Sequence, residues 1–178
     1  MSASRLAPLT ERIALPLLGI VAIYAALLPF SPGSGAPVPD ILYCLVIAWV
    51  LRRPASAPLA VVLGLGLLAD FLLSRPIGLG ALGLVLASEI IRGRAGLLRG
   101  VPFVLEWIAA MVLFVAMLAV ETLVLRVSFA DAPGLAPLGW HIAATVAIYP
   151  FVALLLILCL GFAAPRATPV GTRLGRLS

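Results

Sequence analysis

Apolar stretches fill most of this chain, and what interrupts them is short: Arg, Pro and Gly in clusters of a few residues. Six stretches stand out, at about residues 13–30, 38–53, 57–74, 77–92, 101–125 and 140–164. A bilayer core about 30 Å thick takes roughly 20 helical residues, within a range of about 17–25. In lipid the backbone must satisfy its own polar groups, so each stretch is predicted to be a helix. Soluble domains are about 45–50% apolar and about 25% charged. Here 63% of residues are hydrophobic and 11% charged, with a mean hydropathy of +1.23. The predicted fold class is an all-α integral membrane protein, a six-transmembrane-helix bundle. It forms a single domain over 1–178 and ends in a short cytoplasmic tail at 165–178.

The arginines orient the bundle. Six crossings sort the connections into two sets, and the chain has no lysine. Arg5, Arg12, Arg52, Arg53, Arg92, Arg94, Arg99, Arg166, Arg173 and Arg176 fall on one side, against Arg75 and Arg126 on the other. Excess Arg marks the cytoplasmic face, so both termini are predicted inside. The second stretch is short: its apolar part, residues 38–51, has some 14 residues and rises only about 21 Å. A re-entrant segment there would put Arg52 and Arg53 on the opposite side from the arginines of the fourth connection, so a full crossing is preferred. The first stretch exceeds the 7–15 apolar residues of a signal peptide and is read as a retained helix. The basic balance fits anionic lipid headgroups, and no aromatic-interleaved basic patch points to nucleic acid.

Ionisable residues inside a membrane are functional candidates by default. Asp70, near the outer end of the third stretch, has three readings: it binds a substrate or proton, pairs with Arg75 or another helix, or caps the turn Ser74-Arg75-Pro76. Asp40 follows Pro39 at the start of the second stretch, where an acid caps free N–H groups. Glu89 stands three residues before Arg92, a same-face pair. Glu106, Glu121 and His141 are read as interfacial, and Trp140 as a belt residue. Cys44 and Cys159 act as small apolar residues. Small residues at Ala60, Gly64, Gly66, Gly78, Gly80 and Gly83 suit close helix approach. A metalloprotease, serine-hydrolase or phosphate-loop motif is absent, and the single His argues against His-based catalysis. No internal repeat suggests an inverted-repeat transporter.

Pro39-Asp40-Ile-Leu-Tyr-Cys-Leu-Val-Ile-Ala-Trp-Val-Leu-Arg52-Arg53-Pro54 resembles the second helix of the MreD family of rod shape-determining proteins. Gly64-Leu-Gly66-Leu-Leu-Ala-Asp70-Phe-Leu-Leu-Ser-Arg-Pro76-Ile-Gly78-Leu-Gly80 is similar to that family's third helix and following turn. The specific part covers residues 38–94, about a third of the chain, and the rest matches as hydrophobic helices. The resemblance implies a non-enzymatic component of the bacterial inner membrane, in the elongation machinery, without a cofactor. It implies binding of an MreC-like bitopic membrane protein. MreB, a RodA-type glycosyltransferase and a class B penicillin-binding transpeptidase would stand nearby. The fold it implies is similar to the S components of energy-coupling-factor vitamin transporters. Such an S component is the alternative reading, with Ala22 and Ala26 at the helical spacing its docking motif uses. An intramembrane enzyme is a third, without a nucleophile–base pair to support it. The candidate structural and partner-contact residues are Pro39, Asp40, Arg52, Arg53, Gly64, Gly66, Asp70, Pro76, Gly78, Gly80 and Glu89.

Overall fold

A computed structural model describes residues 9–28, 38–98, 101–129 and 133–160. Among them are six α-helices and no strand: α1 (Leu9–Leu27), α2 (Ile41–Arg52), α3 (Leu59–Leu72), α4 (Leu79–Leu98), α5 (Phe103–Val127) and α6 (Leu135–Leu160). One 3-10 turn, Pro54–Ser56, joins α2 to α3. Each expected helix is therefore present, with shifted ends: α4 runs on to Leu98, and α6 begins at Leu135 rather than near Trp140. The linker 31–37, the tail 165–178, Arg5, Arg99, Arg166, Arg173 and Arg176 lie outside the described residues, as do the side chains of Arg12 and Cys159.

The short second helix is the centre of the molecule. Every residue of α2 from Leu42 to Arg52 is buried, as expected of a helix apolar on all sides. It packs against α1, α4 and α6. Trp49, Tyr43 and Val46 are among the largest fully buried side chains. By contrast α5 buries only Ala110, Met111, Phe114 and Leu118, a single stripe at helical spacing. Its remaining surface is apolar and open, as at Val112, Leu123 and Val127. Large exposed apolar surface marks a partner or a membrane. Two helices, Phe103–Val127 and Leu135–Leu158 of α6, are long and apolar enough to cross a membrane. Residues 13–27, α2 and α3 are shorter apolar helices.

The helices alternate in direction, which gives the bundle two distinct ends. Arg92 near the end of α4 donates to the carbonyls of Pro54 and Ala57, so α4 finishes where α2 turns into α3. Arg52 reaches Glu106 at the start of α5 at the same end. At the opposite end, His141 in the first turns of α6 lies 2.7 Å from the Val38 carbonyl just before α2. We call these the arginine end and the aspartate end.

Candidate functional site

At the aspartate end, Asp40 caps α2: its Oδ1 accepts from the Tyr43 N–H at 2.9 Å. Its Oδ2 accepts from Arg75 at 3.1 Å, and its own N–H donates to Thr145 Oγ1 at 3.0 Å. One short acid thus ties α2, the α3–α4 connection and α6 together. Burial opposes the charge on Arg75, and the carboxylates of Asp40, Glu121 and Asp70 outweigh it, so the guanidinium is held charged above its already high pKa.

Asp70 is 2% exposed and holds the α3–α4 corner. Its backbone carbonyl accepts from the Arg75 N–H at 2.9 Å, with Ser74 at φ 53°, a Schellman close to α3 built on Ser in place of the usual Gly. Its side-chain Oδ2 accepts from the N–H groups of Gly78 at 2.9 Å and Ala81 at 3.0 Å. These belong to the first turn of α4, where helical N–H groups have no partner within the helix. Gly78 has φ +91°, which only Gly adopts without strain. A Cβ on Gly66 would lie 2.7 Å from Ala81 Cα, and one on Gly80 would overlap Asp70 Oδ1. The bare Gly66 therefore lets α3 and α4 meet at backbone distance, and the bare Gly80 leaves room for the Asp70 carboxylate.

Between α1, α2, α3 and α4 at this end lies a cavity of about 200 Å³. Asp40, Asp70 and Arg75 supply its charged lining, and Ala22, Ala26, Leu84 and Met117 part of its apolar lining. Among the described residues no group of three His, Cys, Asp or Glu side chains is placed to hold a metal ion.

The arginine end carries a second buried cluster. Arg52 Nη1 donates to Glu106 Oε1 at 2.8 Å and to the Ala48 carbonyl at 2.9 Å. Tyr149 Oη donates to the same Glu106 oxygen at 3.1 Å. Arg52 Nε is buried without a partner. Nearby, Arg92 Nε donates to Glu89 at 3.0 Å, the same-face pair of α4. Two more polar ties hold α5: Tyr43 Oη donates to the Ala110 carbonyl at 2.7 Å, and Trp107 Nε1 to the Val146 carbonyl at 3.1 Å.

Several expectations need correction. Arg52 does not face lipid headgroups. It is 7% exposed and turned inward onto Glu106, because a carboxylate on α5 offers a charge partner at the depth where its stem lies. Glu106 is correspondingly an ion-pair partner more than an interfacial residue. Arg53 is exposed at the end of α2. Asp70 does not pair directly with Arg75, whose partner is Asp40. Asp70 caps the start of α4 more than the turn Ser74-Arg75-Pro76. Gly64 supports no close approach: a Cβ there meets nothing within 4 Å. Pro39 lines the cavity, and the Pro76 carbonyl accepts from the Leu79 N–H at 3.2 Å. Sequence reasoning missed Tyr43, Thr145 and Tyr149, which read as apolar-run residues and are polar ties between helices. Set against known protein families, curated proteins and solved structures, the chain matches none.

Proposed function

We propose that this chain is a six-span scaffold of the bacterial inner membrane, of the MreD type. It binds an MreC-like bitopic protein and helps position peptidoglycan synthases. One observation carries the reading. The residues behind the resemblance serve architecture: Asp40 caps α2, Asp70 caps α4, and Gly66, Gly78 and Gly80 shape the α3–α4 corner. That is the use expected of a scaffold, whose product is a surface.

The six-span topology is supported by the alternating helices and by Arg52, Arg53 and Arg92 gathering at one end, which becomes the cytoplasmic face with both termini. α2 has 12 residues and rises about 18 Å. Being enclosed by its neighbours, it need not match the bilayer by itself, and the membrane thins or wets at its ends. The open faces of α1, α5 and α6 then meet lipid or the partner's helix. MreB, the RodA-type glycosyltransferase and the transpeptidase would be reached through that partner. Arg53 and Arg94 meet anionic lipid.

A second reading, an S component of an energy-coupling-factor transporter, is favoured by the charged cavity at the aspartate end, which would open away from the cytoplasm. Purification of the tagged chain in mild detergent, with mass spectrometry of stoichiometric partners, separates the two. An MreC-like bitopic protein is expected. Recovery of paired ATPases with a coupling membrane subunit would overturn the scaffold reading.

A further inference from the structure

We propose that the cavity at the aspartate end binds a primary-ammonium zwitterion, a group carrying –NH3+ beside an anionic oxygen. The cavity presents both halves of the recognition. Asp70 spends Oδ2 on two backbone N–H groups, and among the described residues no donor reaches its Oδ1, which lies against the bare Cα of Gly80. Asp70 lines the cavity, so an acceptor there without a protein donor is open to one that a ligand or water supplies. An ammonium group offers three N–H donors there. Arg75 offers the complement. A guanidinium has five N–H donors and suits planar or tetrahedral oxyanions, and the Asp40 bond takes one of them.

Simpler ligands leave one half unmet. A lone anion would face Asp40 and Asp70, and a lone cation would leave the remaining Arg75 donors unused. A quaternary ammonium has no N–H for Oδ1. The apolar side of the cavity, Ala22, Ala26, Leu84 and Met117, accommodates the short methylene chain that separates the two charges. In a bilayer the abundant group of this kind is the phosphoethanolamine headgroup of a lipid, and in solution it is a free amino acid. The lipid source rests on the membrane reading proposed above; the charge recognition does not.

The test is native mass spectrometry of the full chain purified in a mixture of phosphatidylethanolamine, phosphatidylcholine and phosphatidylglycerol. Wild type is expected to retain phosphatidylethanolamine about tenfold or more over phosphatidylcholine, the return on a charge-assisted bond that the quaternary group lacks. Asp70→Asn leaves a carbonyl for the Gly78 and Ala81 N–H groups and sets a donor where Oδ1 stood; it is expected to lose that preference while its melting profile stays close to wild type. Gly80→Ala, with a methyl overlapping Oδ1, is expected to lose the preference as well, with a lowered melting temperature, so Asp70→Asn carries the comparison at unchanged stability. Displacement by O-phosphoethanolamine or alanine identifies a soluble ligand of the same chemistry, and its absence identifies the lipid. Equal retention of the two lipids by wild type with no stabilisation by either soluble compound, or retention unchanged in a folded Asp70→Asn, overturns the proposal. If the chain fractionates without detergent, the membrane reading fails, and the soluble compounds still test the cavity.

Discussion

α2 and α5 are both strongly apolar, and they occupy opposite positions. α2 has 12 residues and is buried from Leu42 to Arg52. α5 has 25 and buries one stripe of four. In water the more exposed helix would be the more polar one. Here α5 lies along α4 and, more lightly, α6, and its polar ties are Glu106, Trp107 and the Ala110 carbonyl, each bonded to a side chain or carbonyl of α2 or α6. Where lipid is as apolar as the core, hydrophobicity does not decide which helix goes inside, and polar ties and close contacts do.

The sharpest way to break this comparison is to cut the α2–α5 tie. Arg52→Leu leaves Glu106 and Tyr149 paired only with each other. Removing one partner of a buried pair costs about 3–5 kcal/mol, which a denaturant titration in detergent would read. The double variant Arg52→Leu, Glu106→Leu should recover most of that loss, and the double-mutant cycle isolates the coupling. A single variant as stable as wild type would show that the tie does not hold α5.

Close contact is tested next. Gly66→Ala places a methyl 2.7 Å from Ala81 Cα and should cost about 1–3 kcal/mol by overpacking. Gly64→Ala, two residues away and facing open space, should be neutral or gain up to about 1 kcal/mol from helix propensity. Equal effects at both would mean that the α3–α4 approach is looser than described.

Asp40→Ala removes the α2 cap together with the Arg75 partner, for an expected loss of about 0.5–2 kcal/mol. The same titration checks it, and Asp40→Asn should restore the capping share alone. The smallest effect is expected on the open side of α5: Leu123, 61% exposed, changed to Ala should move stability by about 0.5 kcal/mol or less. A large loss there would reveal a tight contact with another copy or partner.

Much of this fold was legible because apolar runs between Arg, Pro and Gly clusters announce helices in any context. The local pairs were legible too: Asp40 sits where a cap belongs, and Glu89 and Arg92 share a face by spacing alone. Arg52 and Glu106 are 54 residues apart, and nothing in a single sequence couples them. Asp70 was visible as a candidate cap of its own turn but not as the cap of α4, because its N–H partners lie across a turn whose shape depends on Ser74 and Gly78 adopting positive φ. Small-residue spacing likewise did not separate Gly66, which touches α4, from Gly64, which touches nothing, since both lie on the same helix and only packing chooses the face.

The most direct measurement of the central claim is the side on which each end of the bundle lies. Single cysteines at Ile77 and Phe129, 73% and 99% exposed at the aspartate end, and at Arg53 and Ala55 at the arginine end would be probed with a membrane-impermeant maleimide on spheroplasts, in a background lacking Cys44 and Cys159. The account predicts labelling of positions 77 and 129 in intact spheroplasts, and of 53 and 55 only after permeabilisation. Labelling of all four without permeabilisation, or of 53 and 55 alone, would contradict a six-span bundle whose arginine end faces the cytoplasm.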